Sequence, residues 1–89
     1  MAKVEMYSKQ VCPSCIHAKQ LFDSKSVSYT EYKIDASDDP ERKKLAEMQA
    51  RAPGHRTVPA IFINDQFIGG YDALRALNEA GELDPLLVE

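Results

Sequence analysis

Apolar and polar positions alternate at the start of the chain. Val4 and Met6 stand against Lys3 and Glu5, the two-residue period of a short strand over residues 3–7. The period then lengthens. Cys15, Ile16, Ala18, Leu21 and Phe22 recur at close to helical spacing, which predicts a helix over residues 14–25. The run S-Y-T-E-Y-K-I, residues 28–34, is rich in β-formers and reads as a second strand.

Asp38, Asp39 and Pro40 have the composition of a helix start: a capping carboxylate, then a proline where a missing N–H costs nothing. That helix is expected to reach residue 49 or 50, with Leu45, Ala46 and Met48 inward, before A-P-G-H breaks it. Residues 60–63 form a continuous apolar strand. Asn64-Asp65 supplies a tight turn, residues 66–68 return, and Gly69-Gly70 ends the hairpin. Residues 71–80 read as a helix stopped by Gly81, and Asp84-Pro85 opens a short terminal helix holding Leu86, Leu87 and Val88.

The resulting order is β-α-β-α-β-β-α. A strand-helix-strand opening implies two parallel strands joined by a right-handed crossover, and the closing hairpin adds an antiparallel pair. The expected fold class is α/β: a four-stranded mixed sheet with helices on both faces. The 89 residues give one small domain, 1–89. A net charge of -3 with no prominent basic face argues against nucleic acid as a partner. No apolar run approaches the roughly 18 residues that span a bilayer, and the N-terminus lacks the apolar core of a signal peptide. The simplest placement is the cytoplasm, with no membrane partner.

The chain has two cysteines, Cys12 and Cys15, in V-C-P-S-C-I-H. In a reducing compartment a lone C-x-x-C is more often redox-active or metal-binding than a permanent staple. A structural zinc site wants four ligands, and His17 and His55 lie 38 positions apart rather than three to five. No metal site is expected. Burial as small hydrophobes remains open for Cys15 alone. The redox reading draws on position. Cys12 falls where a strand gives way to a helix, whose free backbone N–H groups favour negative charge on its sulfur. A thiol at such a site has its pKa lowered from about 8.5 to between roughly 3.5 and 7.5. Cys12 is then the expected nucleophile, and Cys15, one turn on and deeper, the resolving thiol.

Three stretches together resemble the glutaredoxin family of the thioredoxin-like fold: Cys12-Pro13-Ser14-Cys15, Thr57-Val58-Pro59 and Gly69-Gly70-Tyr71-Asp72. The resemblance spans nearly the whole chain. It implies a dithiol oxidoreductase that uses glutathione as reductant and acts on disulfide-containing or glutathionylated proteins as a monomer. It also implies a cis Pro59, with Val58 offering its main chain to glutathione in strand-like fashion. The N–H groups of Tyr71 and Asp72 would hold the γ-glutamyl carboxylate at a helix start, with Gly70 allowing close approach. Lys9 would meet the glycine carboxylate, and Ser14 and Thr57 would line the site. Two positions depart from the family's pattern. Ser14 stands where many dithiol members carry tyrosine, and Ala73 where the family is often acidic. The alternatives are an iron–sulfur cluster carrier bridging two subunits and a redoxin reduced by thioredoxin reductase.

Overall fold

The computed structural model describes residues 2–34, 39–55 and 57–88. The elements are β1 (Val4–Ser8), α1 (Pro13–Ser24), β2 (Thr30–Lys33), α2 (Asp39–Arg51), β3 (Ala60–Ile63), β4 (Gln66–Gly69), α3 (Tyr71–Glu79) and α4 (Leu83–Leu87). They form one four-stranded sheet in the order β2-β1-β3-β4. β1 runs parallel to β2 and antiparallel to β3, and β4 is antiparallel to β3. This is the expected mixed sheet. β2 is shorter than its β-forming run, although Ile34 N–H still donates to Ser8 C=O at 2.8 Å beyond it. Asp39, expected to cap α2, is instead the first residue of the helix, with Pro40 second, and the Asp39 side chain lies outside the described residues.

Alternation along β1 sorts side chains to two cores. Val4 and Met6 join Ala18, Phe22, Ile61, Ile63, Leu74, Leu83 and Leu87 under α1, α3 and α4. Tyr7 joins Ile34, Met48, Ala52, Ala60 and Phe62 under α2. All five residues of β1 are buried, because helices cover both faces of this central strand. Glu5 is only 4% exposed and is tied down by Arg51 at 3.0 Å.

Two inward assignments change. On α2 the buried stripe follows Leu45, Met48 and Ala52, and Ala46 is exposed. On α1 it follows Cys15, Ala18 and Phe22, and Ile16 is 52% exposed. In both helices the apolar neighbour is turned about 100° off the stripe.

Asn64 and Asp65 adopt φ of 51° and 66°, the paired left-handed geometry of a tight hairpin turn. Asn64 Oδ1 accepts the Lys3 N–H at 2.9 Å, tying the turn to the start of β1. Gly69 has φ of 129°, and a Cβ there would lie 2.9 Å from Ala73 Cβ. The glycine is therefore demanded by backbone shape and by the start of α3, independently of any ligand.

Candidate active site

β1 leads directly into the site. Its last residue, Ser8, is fully buried, and its hydroxyl donates to Glu31 Oε2 at 2.5 Å. Lys19 of α1 meets the same carboxylate oxygen at 2.6 Å. These side chains lock β1, α1 and β2 together around the loop that carries the cysteines. Burial alone would raise the Glu31 pKa, but hydrogen bonds from Lys19 and Ser8 outweigh it and hold the carboxyl below its ordinary value.

Cys12 is the N-cap of α1, with extended φ and ψ, and Pro13 opens the helix. Cys12 Sγ accepts the Cys15 N–H at 3.1 Å, and Cys12 C=O accepts the Ile16 N–H at 3.1 Å. The sulfur thus takes the place of the capping oxygen of serine or aspartate. Cys12 and Cys15 form a disulfide with Cα atoms 5.2 Å apart. Cys12 is 8% exposed and Cys15 1%, so Cys12 is the more accessible partner.

Two other segments converge on this sulfur. Val58 C=O lies 3.8 Å from Cys12 Sγ, and the Val58–Pro59 peptide is cis. Beyond it α3 begins at Gly70, an N-cap with no side chain to satisfy the first-turn N–H groups. A Cβ at Gly70 would sit 3.5 Å from Pro59 C=O, so the two segments lie against each other.

Between them is a groove of about 390 Å³. Ser14, Thr57, Val58, Pro59, Gly70, Tyr71 and Asp72 line it, together with His55. Seven residues singled out from three distant stretches of sequence are thereby brought to one cleft. Lys9 does not line it; it is exposed in the loop before Cys12. His55 packs edge-on against Phe67 at 4.9 Å between ring centroids. Its Nε2 is the single buried side-chain polar atom without a hydrogen-bond partner among the described residues. His17 is exposed, with its ring 5.5 Å from that of Tyr71. A larger concavity of about 590 Å³ lies between β4, α3 and α4, apart from the cysteines and from every residue that lines the groove.

Sequence reasoning missed the polar cluster under α2. Arg51 donates to both Glu5 oxygens at 3.0 and 3.3 Å and to Tyr7 Oη at 2.9 Å, and lies 4.0 Å over the Phe62 ring. Tyr7 Oη donates to Glu47 at 2.6 Å, and Tyr32 Oη to Glu5 at 2.9 Å. Burial, then the Glu47 hydrogen bond, pushes the Tyr7 phenol up to about 12. Burial works against ionisation of Glu5, yet the Arg51 and Tyr32 hydrogen bonds prevail and lower its pKa. A glutamate inside a strand pattern was the available signal; its partner lies 46 positions away.

Among the described residues no group of three or more His, Cys, Asp or Glu could hold a metal ion. Nor is any helix among them long and apolar enough to cross a membrane. What the arrangement offers is thiol–disulfide exchange: the less buried sulfur at a helix N-terminus, a fully buried sulfur in bonding range, and a polar groove alongside.

Comparison with known proteins agrees. Residues 4–68 match the glutaredoxin family model. Glutaredoxin 3 of Escherichia coli is 51% identical over 87 residues, covering 98% of this chain and 99% of that protein. A Synechocystis protein named as a probable glutaredoxin is 57% identical, covering 97% and 75%. Among solved structures, a buckwheat glutaredoxin–glutathione complex superposes with a TM-score of 0.86 at 30% identity, covering 98% of this chain and 77% of that one. A dithiolic glutaredoxin of Trypanosoma brucei brucei gives 0.83 at 39% identity, covering 96% and 86%. The fold is thioredoxin-like, the chemistry is that of a thiol–disulfide oxidoreductase, and the chain belongs to the glutaredoxin family.

Proposed function

We propose that this glutaredoxin is a dithiol enzyme, reduced by glutathione, that acts on protein disulfides and removes glutathione from mixed disulfides. The observation that carries the reading is the groove. It joins the carbonyl of Val58 and the uncapped start of α3 to the flank of Cys12. The buckwheat protein with the same fold is described in complex with glutathione, which supports the same ligand here.

In this reading the N–H groups of Tyr71 and Asp72 hold the γ-glutamyl carboxylate, as a helix N-terminus holds an anion. The Asp72 carboxylate meets the ammonium group, and Val58 pairs with the tripeptide through its main chain. Lys9, exposed in the loop outside the groove lining, meets the glycine carboxylate, and Ser14, Thr57, Pro59 and Gly70 shape the walls.

The Cys12 thiolate attacks one sulfur of a disulfide. A bond forms between Cys12 and that sulfur, the substrate S–S bond breaks, and the other sulfur leaves as a thiolate that takes a proton. Cys15 can then attack Cys12, releasing a reduced product and leaving the Cys12–Cys15 disulfide seen here. Two glutathione molecules return that disulfide to the dithiol and emerge as glutathione disulfide. Where Cys12 carries glutathione, a second glutathione can attack directly, and Cys15 is not needed. The protein works as a monomer in a reducing, cytoplasmic setting, where such a pair is not locked as a staple.

The test is steady-state reduction of a small glutathione mixed disulfide fed by NADPH. Glutathione with glutathione reductase is run beside thioredoxin reductase alone. Turnover is expected only in the first arm. Turnover only in the second would retain the thiol chemistry and overturn the glutathione assignment.

A further inference from the structure

We propose that Val11 and Ile16 form an apolar ledge beside Cys12 that receives a large apolar residue flanking the target cysteine of a polypeptide disulfide. The inference rests on Cys12 as the attacking sulfur and adds a substrate preference to that site.

Among the described residues three large apolar side chains are strongly exposed: Val11 at 89%, Val88 at 77% and Ile16 at 52%. A single exposed hydrophobe needs no explanation. Here two of the three stand within four positions of the reactive cysteine, and Pro13, also exposed, lies between them in the chain.

Helix geometry places Ile16 on the far side of α1 from the groove. α1 buries Cys15, Ala18 and Phe22, and Ser14 lines the groove. At 3.6 residues per turn, Ile16 is rotated about 160° from Ser14. That is the flank on which Lys19 reaches Glu31 of β2. Neither Val11 nor Ile16 lines the groove, so a ligand lying there does not account for their exposure.

Continuity with the sulfur decides the occupant. Val11 is bonded to Cys12, and Ile16 N–H is held by Cys12 C=O at 3.1 Å. A polypeptide joined through its own sulfur to Cys12 starts one residue from Val11 and one helical turn from Ile16. The ledge side chains carry no charge, and on that flank Lys19 is already engaged by Glu31. What gains by contact there is an apolar residue next to the substrate cysteine. In the step concerned, Cys12 bonds to that cysteine's sulfur, the substrate S–S bond breaks, and the second substrate sulfur leaves as a thiolate. Attack by Cys15 then releases the dithiol peptide and leaves the enzyme oxidised by two electrons.

The experiment uses protein reduced with dithiothreitol and freed of it, in a single turnover without glutathione. Two peptides of equal ring size, each closed by one disulfide, carry leucine or serine beside both cysteines. The wild-type rate constant should be about tenfold higher for the leucine peptide, a value set by burial of roughly one aliphatic side chain. In the Val11→Ser/Ile16→Gln variant the ratio should fall to near one, with turnover of a small glutathione mixed disulfide unchanged. Equal wild-type rates, or a preference that survives in the variant, would overturn the ledge. Failure of the glutathione reading would show only in that last arm, since the peptide arms contain no glutathione.

Discussion

Cys12 Sγ lies 3.1 Å from the backbone nitrogen of Cys15 and accepts its N–H, so the sulfur itself caps α1. An N–H aimed at sulfur stabilises the thiolate more than the thiol. In the reduced protein Cys12 should titrate well below the ordinary thiol value of about 8.5. Ultraviolet absorbance of the thiolate, followed against pH in wild type and Cys12→Ser, measures this. Cys12→Ser should abolish turnover of glutathione mixed disulfides, and Cys15→Ser should retain it while losing the intramolecular route. Two equally inactive variants would contradict these roles.

Glu5 and Arg51 should behave as a buried pair whose rupture costs more than its removal. Arg51→Leu leaves the Glu5 carboxylate buried and short of its main partner. The loss should be about 3 kcal/mol, read from urea denaturation. Glu5→Leu in the same chain should recover most of it. No recovery in the double variant would mean that the Arg51 contacts with Tyr7 and Phe62 matter more than the ion pair.

Stability should fall on both sides of neutrality, for separate reasons. Glu5, Glu31 and Glu47 are held below the ordinary glutamate pKa of 4.5 in the folded protein. Their contribution is full above that value and is lost as pH falls through the folded values. Tyr7 has the opposite sign. Its phenol is raised from 10.0 to about 12, so its contribution is full below pH 10 and is lost as pH rises toward 12. Thermal melts across pH should show a plateau bounded on both flanks. Tyr7→Phe should weaken the alkaline fall; an unchanged alkaline limb would exclude this phenol as its source.

Gly69→Ala should destabilise the protein by at least about 1 kcal/mol. The backbone at φ of 129° disfavours any side chain, and the new methyl meets Ala73 Cβ at 2.9 Å. Gly54→Ala gives the comparison, since it shares a positive φ of 85° but meets nothing within 4 Å. Chemical denaturation should rank Gly69→Ala as the more damaging; the reverse order would remove Ala73 from the explanation.

The chain order of elements was legible because each carries its own local period and its own stop signal. Asn64-Asp65 and Gly81 are turn residues whose observed positive φ values are what those residue types favour. The groove residues could be picked out through the three stretches shared with a family, which single-residue chemistry would not have supplied. What stayed hidden was everything set by tertiary neighbours. Ile16 fits an inward period as well as Phe22 does, and only the placement of the sheet turns it outward. Glu5 looks like the wet face of a strand, and only α2, delivering Arg51 from far along the chain, makes that position buried. Lys9 shares the active-site loop, yet spacing alone could not show that it stays outside the groove lining.

Glutathione joined to Cys12 should lie in the groove of Val58, Tyr71 and Asp72. The most direct measurement is amide NMR of Cys15→Ser before and after reaction with glutathione disulfide. The predicted result is one glutathione on Cys12, with the largest shifts at the Val58, Tyr71 and Asp72 amides, reversed on adding a reductant. A Cys12 adduct that leaves those amides unmoved would contradict it.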